Sequence, residues 1–598
     1  MCNFELRVDK QYNQRNMKKI VLFYGKVACI FTLVYLSVTS CEKMMGGFLD
    51  KPPGVDVTED TVFSSQINAE MFLTGIYWAG MYTDIDDYGE RWTGNGSYAV
   101  FCDEGENGSW WHAAHAYNNG VLTPYPDVED FDYQRWPYRW NAIRRINILL
   151  DRIDDVPDAS TQYKEQAKGQ ALFLRGLQYF EMFKRYGGVP IVDRRFDLSD
   201  PENLRIPRAT IEDLVNFIVA DADEAARLLP DSWPTTYTGK ATKGSALMLK
   251  SKTLLYAASP LTNTATPPLS LPGEQNLLIC YGNTDASRWE HAAAAAKAVL
   301  DWAPGAGIRL LTGDPETSYR DVWEIPDNEE IIMASKLFPL WYAAGNVWRF
   351  RTNFYARLMG INITQNFVEK YEKRDGTPQV WNQTGSNLTQ MYRELDPRFD
   401  QSVAYNMCYW NPDFPEVRMY EGAPEPNQLA DNKTGYWMRK FVPAALNNDN
   451  PQVPIWTLYR LGEAYLSYAE ALNECNASPP KEAYDAVNAI RARAGMPPFP
   501  AGLTQAQFRE RIRNERTVEL AFEDHRLYDI MRWVIAEQNG VMRGEMRGLK
   551  IYEDPPGSKA FRYEQYVFEE RSWSAKMYRC PFYQTEIDKG YLIQNPGY

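Results

Sequence analysis

The strongest constraint on the fold of this chain is the three- and four-residue spacing of its apolar side chains. One apolar series covers 461–475, and a second covers 484–490 before the sequence Gly495-Met496-Pro497-Pro498 interrupts it. Apolar residues at this spacing occupy one face of an α-helix, and a glycine followed by proline is typical of a helix end. The pattern therefore predicts two helices joined by a short turn.

The same spacing recurs in the first half of the chain. Six more segments are amphipathic or broadly apolar at helical spacing: 63–81, 136–153, 163–186, 211–229, 243–258 and 289–302. Within the third, apolar side chains occupy two faces, and Ala171 and Gly176 allow close contact, so we expect this helix to pack between neighbours. The sequence predicts a mainly α fold built from tetratricopeptide-like helical hairpins, without a strict 34-residue period.

Between about residue 260 and residue 454 the sequence changes to clusters of Pro, Gly, Asn and Trp, with short strand-like runs such as 330–334. This composition predicts a large loop-rich, partly β insertion in the helical scaffold. A second loop-rich block covers 82–134. Because structured loops on a rigid scaffold commonly carry binding sites, we expect the ligand face in these two blocks.

The first 41 residues have the layout of a lipoprotein signal. Lys18 and Lys19 precede an apolar stretch with its core at 27–38, and Val-Thr-Ser stands directly before Cys41. A cationic start, an apolar core and small residues at the cut are typical of export signals. The cysteine after the cut resembles the lipobox of bacterial lipoproteins, in which this residue is lipidated. The alternative is an uncleaved transmembrane helix, against which Lys26 inside the stretch argues.

The predicted organisation follows from these segments. We expect a signal peptide over 1–40 and a flexible tether over 41–60, which is too rich in Gly and Pro for a helix. The remaining 558 residues exceed the roughly 250 to 300 at which a single core stops growing, so stacked repeats or several domains are expected. The body, 61–598, divides into a helical scaffold at 61–260 and 455–540, the insertion at 261–454 and a C-terminal cap at 541–598.

The balance of charge excludes one class of partner. Residues 1–40 carry six Lys or Arg and two Asp or Glu, so their removal changes the net charge from −14 to −18. Nucleic-acid affinity comes largely from Lys and Arg that neutralise phosphates, so we expect no nucleic-acid partner. Membrane contact would depend on the lipid at Cys41.

Metal-binding residue types give weak patterns. The five cysteines of the body show neither a disulfide framework nor zinc-type spacing. The acidic cluster at 84–90 lacks the spacing and glycine of an EF-hand. We expect no metal and no cofactor. A weak zinc alternative is formed by the single close histidine pair and three nearby acids: His112, His115, Asp103, Glu104 and Glu106.

Sequence signals for catalysis are also missing. The chain has no Gly-x-Ser-x-Gly motif, no phosphate-binding glycine loop and no dinucleotide fingerprint, so nucleophilic, phosphoryl and hydride chemistry have no sequence signal. Paired carboxylates for glycoside hydrolysis stay open, because the many Asp and Glu residues make some close pairs inevitable. A helix predicted over 513–533 places Arg516, Glu519, Glu523 and Arg526 along one face, and charges of alternating sign at this spacing pair with one another. We interpret them as an ion-pair network that fixes how the helix docks. The alternative is an active site with one of the glutamates as acid or base.

Six separated segments match, in order and spacing, a known family. They are Cys41 with its tether into Phe48-Leu49-Asp50, Ala171-Leu172-Phe173-Leu174-Arg175 leading to Tyr186-Gly187-Gly188-Val189-Pro190, 239–260, 461–471, Asn514-Glu515-Arg516 through Trp533, and the terminal Gln594-Asn595-Pro596-Gly597-Tyr598. Together they resemble the SusD/RagB family of Bacteroidetes outer-membrane lipoproteins. Asp524 departs from the family pattern, in which glycine is more common.

The resemblance implies a SusD-like fold, a lipid anchor and a position on the extracellular face of the outer membrane. It implies a non-catalytic role in which the protein captures an oligosaccharide or polysaccharide for a partner SusC-like TonB-dependent transporter. RagB-type members take peptides instead. An extracellular glycoside hydrolase and a repeat scaffold that grips protein partners are further alternatives.

The candidate ligand residues lie in the loop-rich blocks. Sugar rings have apolar faces and polar rims, so aromatic side chains beside amide and charged groups suit them. We predict that an aromatic platform of this kind binds the ligand, while for any single tryptophan a loop-anchoring role is the alternative. The platform consists of Trp110, Trp111, Trp341, Tyr342, Trp348, Asn107, Asn346 and Arg349.

Overall fold

A computed structural model of the chain describes residues 58–81, 98–108, 112–125, 135–196, 201–335, 361–412, 415–423, 432–441 and 456–598. Residues Ala69–Tyr598 form one compact unit. The α-helices of the described residues are α1 (Glu59–Val62), α2 (Gln66–Gly80), α3 (Ala113–Asn118), α4 (Arg135–Arg152), α5 (Thr161–Tyr186), α6 (Ile211–Leu228), α7 (Lys243–Ala258), α8 (Ser287–Trp302), α9 (Ser318–Glu324), α10 (Gln365–Val368), α11 (Leu388–Glu394), α12 (Arg398–Ser402), α13 (Leu461–Cys475), α14 (Lys481–Arg493), α15 (Gln505–Glu519), α16 (Arg526–Trp533) and α17 (Gln584–Ile587).

The described strands are short except for one hairpin. They are β1 (Gly105–Asn107), β2 (Ile331–Ser335), β3 (Ile361–Ile363), β4 (Thr384–Gly385), β5 (Val403–Tyr405), β6 (Tyr436–Met438), β7 (Trp456–Arg460), β8 (Gly544–Glu553) and β9 (Phe561–Arg571). All pair antiparallel: β1 with β3, β2 with β7, β5 with β6, and β9 between β4 and β8. The predicted mainly α fold with a partly β insertion is confirmed.

The helix positions agree closely with the apolar spacing. The six helices predicted in the first half are α2 and α4 to α8, and the later pair is α13 and α14. The strand-like run at 330–334 is β2. Gly495, which follows α14, has a φ of 70°, a left-handed conformation that glycine adopts at helix ends. The sequence signal for the end of this hairpin is therefore confirmed.

The scaffold is a continuous stack of helices. α5 packs against α4, α6 and α7, as its two apolar faces predict, and α7 packs against α8. α8 then contacts α13, so the helices before and after the insertion belong to one stack, which continues through α14 and α15. Four small side chains form a buried cluster where α7, α8 and α13 meet: Ala258, Ala292, Ala293 and Ala471. Small residues there allow close helix contact.

The insertion is tied to the scaffold by strands. β2 pairs with β7, which directly precedes α13, with Ile331 opposite Arg460 and Ser335 opposite Trp456. The C-terminal hairpin β8–β9 also reaches the insertion, because Gly385 in β4 pairs with Tyr563 in β9. These contacts connect the three predicted parts of the body, whose boundaries stay a prediction.

The helix predicted over 513–533 is wrong, because two helices occupy this segment. Between α15 and α16, Phe522 and Asp524 have φ values of 61° and 60°, and a right-handed helix does not continue through left-handed residues. The Asp524 carboxylate accepts a hydrogen bond from the backbone N–H of Tyr98 at 2.8 Å. The left-handed backbone also gives a physical reason why glycine suits position 524.

The C-terminal segment 594–598 contributes to the end of α5. The side-chain amide of Asn595 donates to the carbonyl oxygens of Tyr186 at 3.0 Å and Cys580 at 2.7 Å. Arg208 also donates to the Tyr186 carbonyl, at 3.1 Å. Because the last carbonyls of a helix have no partner within it, these bonds stabilise the helix end. The family-like segments 186–190 and 594–598 are thus in contact in the fold.

The cysteines and the export signal complete the comparison with the sequence. None of Cys102, Cys280, Cys408, Cys475 and Cys580 forms a disulfide within the described part of the chain. No helix among the described residues is long and apolar enough to cross a membrane. The predicted signal peptide, Cys41 and most of the tether lie outside the described residues, so lipidation stays a prediction.

Candidate ligand-binding site

Asn107 is the one member of the aromatic platform within the described residues. It ends β1, opposite Ile361 in β3, and its side chain is fully buried rather than exposed to a ligand. The platform itself stays a prediction. The other seven members lie outside the described residues: Trp110, Trp111, Trp341, Tyr342, Trp348, Asn346 and Arg349.

The pairing of β1 with β3 brings the two candidate segments together at their ends. β1 leads directly towards Trp110, and β3 directly follows the segment that contains 341–349. Since Asn107 lies opposite Ile361, the point where the chain enters the first segment adjoins the point where it leaves the second. Trp110 is only three residues beyond Asn107, a reach of at most about 11 Å. The fold therefore gives both segments a common anchor.

Two acidic residues before β1 bind protein groups and do not face a ligand. Asp103 forms a two-bond ion pair with Arg526, at 2.8 and 2.7 Å, and both side chains are buried. Glu104 accepts a hydrogen bond from the backbone N–H of Phe522 at 2.9 Å. Burial raises the pKa of Glu104 to about 8, so this carboxyl is mainly protonated at neutral pH. These contacts fix the chain before β1 to the start of α16, through Arg526, and to the segment between α15 and α16, through Phe522.

Glu106 lies in a buried cluster of opposite charges. One carboxylate oxygen is 3.0 Å from His115 Nδ1 and 3.2 Å from Lys433 Nζ, and the other is 2.9 Å from Arg571 Nη2. Burial alone would raise the pKa of Glu106, but the hydrogen bond with His115 and the charges of Arg571 and Lys433 lower it. The carboxylate is therefore ionised and holds the middle of β1 in place.

Three residues of the described chain offer ligand atoms of the kind that a metal binds. One atom each of Glu106, His115 and Glu569 lies within 4.8 Å of the other two. Arg571 approaches both carboxylates at 2.9 Å, and Lys433 contacts Glu106 as well. Because these cations already neutralise the carboxylates, the arrangement suits an ion-pair cluster better than a metal site.

The histidine pair of the zinc alternative does not converge on one point. His112 Nδ1 accepts a hydrogen bond from the backbone N–H of Ala114 at 3.1 Å and caps the start of α3. Its ring also packs against Phe101, with 5.8 Å between ring centroids. His115 instead contacts Glu106. The two histidines therefore have separate structural environments, and the geometry does not support the zinc alternative.

The glutamates considered as a catalytic acid or base are buried in an ion-pair network. Glu519 and Glu523 bind cations from several elements: Arg398, Arg460, Arg493 and Lys440. Burial would raise the pKa of Glu519, but the guanidinium groups lower it, so this carboxylate stays ionised. The predicted network is confirmed, while the expectation that its members pair with one another is wrong. Arg516 pairs with Asp529 and Glu470, and Arg526 with Asp103.

Two family models match the chain. One, described as the SusD family, matches residues 344–598. The other, described as starch-binding associating with outer membrane, matches residues 47–255. The two ranges include the C-terminal scaffold with part of the insertion and the N-terminal scaffold, respectively.

Individual relatives match over most of this chain and most of their own length. The chain is 23% identical over 543 residues to the SusD-like protein P25 of Formosa agariphila, which covers 85% of this chain and 89% of the relative. A crystal structure of a SusD-like protein from Bacteroides fragilis NCTC 9343 has a TM-score of 0.73 at 24% identity, covering 92% of this chain and 100% of the other. A laminarin-binding SusD-like protein has a TM-score of 0.57 at 20% identity, covering 90% and 100%. These likenesses show a shared fold.

Proposed function

Since this chain belongs to the SusD/RagB family, we propose that it is a non-catalytic surface protein that captures an oligosaccharide or polysaccharide. It delivers this ligand to a partner TonB-dependent transporter in the outer membrane. The observation that carries the proposal is the pairing of β1 with β3, which gives the two aromatic-rich segments one buried anchor. The match to a model described as starch-binding supports a glycan ligand.

The β1–β3 anchor is suited to hold a binding surface in a fixed position. The ion pairs of Asp103 with Arg526 and of Glu106 with Arg571 are buried and hold β1 on two sides. A surface that is ordered before the ligand arrives loses less conformational entropy on binding. The predicted platform stacks its indole rings on the apolar faces of sugar rings, and the side chains of Asn346 and Arg349 bind the hydroxyls.

Isothermal calorimetry with a panel of oligosaccharides tests the platform. We expect the triple variant Trp110→Ala, Trp341→Ala and Trp348→Ala to lose most of its affinity for the glycan that the unmodified protein binds, since each stacked ring contributes about 0.5 to 1.5 kcal/mol beyond its buried area. The matched control is Trp78→Ala, which removes an exposed indole from helix α2. Unchanged affinity in the triple variant would reject the platform.

Activity and binding assays on the same purified protein distinguish the other candidate functions. New reducing ends after incubation with polysaccharides would indicate a glycoside hydrolase, which the buried state of Glu519 and Glu523 disfavours. Binding of peptides without binding of any glycan would indicate a RagB-type function. Stable complexes with soluble proteins alone would indicate an interaction scaffold.

The anchor and the transporter require tests in cells. We expect radiolabelled palmitate to enter the wild-type protein but not the Cys41→Ala variant, which should leave the outer-membrane fraction. Affinity purification of the wild-type protein from detergent-solubilised outer membranes should retain a β-barrel transporter. A wild-type protein without label, or one found in the cytosol, would contradict the proposed location.

A further inference from the structure

A cleft of about 750 Å³ opens on the helical scaffold between α4 and residues 192–196 and 204–206. Its volume lies within the roughly 300 to 1,000 Å³ of small-molecule sites. Apolar side chains line part of it, and none of the lining residues that the structure describes belongs to the aromatic platform. Its aromatic and charged residues are Trp140, Arg144, Asp151, Arg194, Arg195 and Phe196.

Trp140 gives the cleft a fixed aromatic surface. The indole packs edge-on against Trp136, with 5.4 Å between centroids, and against Tyr179, with 6.3 Å. These contacts hold the ring in one orientation, and part of it remains exposed in the cleft. A partly exposed, fixed indole is suited to stack on the apolar face of a sugar ring.

Buried hydrogen bonds fix the wall opposite α4. The side-chain amide of Asn147 donates to the carbonyl oxygens of Val192 at 2.9 Å and Arg194 at 3.2 Å. The amide oxygen of Asn147 accepts from Arg175 at 2.9 Å, and Arg175 forms a buried two-bond pair with Asp221. The backbone that carries Arg194 is thus held against α4 in the absence of a ligand, which reduces the entropic cost of binding.

The cleft is positively charged although the chain is acidic. Three guanidinium groups and one carboxylate, that of Asp151, belong to its described lining, and the Asp193 carboxylate lies 3.4 Å from Arg194. The guanidinium groups still outnumber these carboxylates, whereas the whole chain has a net charge of −14. Arg144 is exposed, and it forms no ion pair or hydrogen bond with any residue that the structure describes. A guanidinium group in this state favours an anion, and its fork geometry matches a carboxylate.

We infer that this cleft is a second saccharide site, selective for a sugar unit that carries a carboxylate. The sugar ring stacks on Trp140, its carboxylate pairs with Arg144, and the Asp151 carboxylate accepts a hydrogen bond from a hydroxyl group. The inference rests on the proposed function, which gives the ligand class as a glycan. It specifies in addition that the glycan is anionic and that it binds in this cleft.

Calorimetry of the purified full chain with tri-galacturonate tests the inference, with the fully methyl-esterified trisaccharide as the neutral probe. We expect Arg144→Glu and methyl esterification each to weaken binding about tenfold or more, as the loss of a charge-assisted hydrogen bond does. Salt at about 0.5 M should weaken it as well. Trp140→Phe, which retains an aromatic ring for packing, should bind less tightly than wild type.

Arg145→Glu is the matched control, because Arg145 is exposed on α4 next to Arg144 but does not line the cleft. We expect it to bind like wild type. The platform triple variant should also keep its affinity for tri-galacturonate, so failure of the platform and failure of the cleft are distinguishable. No binding of tri-galacturonate by wild type, equal binding of the ester or of tri-glutamate, or unchanged affinity in Arg144→Glu would overturn the inference.

Discussion

Arg460 Nη1 donates a hydrogen bond to Glu519 Oε1 at 2.7 Å, and both side chains are buried. Arg460 ends β7, where the chain leaves the insertion, and Glu519 ends α15 in the scaffold. The same guanidinium group also binds Glu330 at 2.9 Å and Glu523 at 2.8 Å. This pair and its neighbours therefore connect the end of the insertion to the scaffold through buried ion pairs.

Replacement of Arg460 should destabilise the protein strongly. Arg460→Met leaves three buried glutamates without their shared cation, and loss of one partner of a buried ion pair costs about 3 to 5 kcal/mol. Denaturant unfolding followed by circular dichroism measures the change. Lys481→Met is the control: its ion pair with Asp485 is exposed, so we expect no resolvable change. Equal stability of the two variants would contradict a structural role for the Arg460 network.

Gly188 should tolerate no side chain. A Cβ at this position would lie 1.9 Å from the carbonyl oxygen of Ala209, and a hydrogen bond of 2.7 Å from the Gly188 N–H to Leu278 fixes the backbone. We expect Gly188→Ala to lower the free energy of unfolding by about 3 kcal/mol or more. Gly305→Ala, where nothing lies within 4 Å of the new Cβ, should be neutral or slightly stabilising. Thermal unfolding measures both variants, and an equal effect of the two substitutions would contradict the predicted clash at Gly188.

Glu104 should make the stability fall as the pH rises. Its pKa is about 8 in the folded protein, against an ordinary value of 4.5. Between these values the folded state binds the proton that the unfolded state releases, so unfolding becomes easier by at most about 1.4 kcal/mol per pH unit. Glu104→Gln cannot ionise and should remove this slope.

Free energies of unfolding between about pH 5 and pH 8 measure the slope. The control variant is Glu482→Gln, which changes an exposed carboxyl on α14 and should keep the wild-type slope. A Glu104→Gln protein whose stability falls with pH as steeply as wild type would show that this carboxyl is not the source.

Asp524 should be replaceable by asparagine but not by alanine. Asp524→Ala removes the acceptor for the Tyr98 N–H and leaves a left-handed backbone with no side-chain support, at a cost of about 1 to 3 kcal/mol. Asp524→Asn keeps an acceptor oxygen and adopts this conformation readily. Differential scanning calorimetry should rank wild type and Asp524→Asn above Asp524→Ala. An alanine variant as stable as wild type would be inconsistent with the proposed role.

The scaffold was predictable because helix formation depends on neighbouring residues. The apolar spacing of 461–475 specifies one buried face, and it located α13 without any knowledge of the partner helices. The two apolar faces of α5 likewise indicated a helix packed between others. The break between α15 and α16 had no such signal, since the charges around it have the spacing of a continuous helix.

The candidate site was predictable only in part. Residue types and their positions in loop-rich blocks selected the platform, but they did not indicate that the side chain of Asn107 is fully buried. The cleft at Trp140 has no sequence signal beyond an amphipathic helix, because the wall opposite α4 includes Arg194 and Arg195, which lie about 50 residues further along the chain than Arg144.

The sequence by itself determined where most helices of the scaffold form, since apolar spacing and chain breakers act over a few residues. Tertiary structure alone decided the partners of the charged groups. Tyr98 binds Asp524 across 426 residues, and Asp103 binds Arg526 across 423. A buried charge requires an opposite charge close in space, whatever its distance along the chain, and only the packed fold brings the two together.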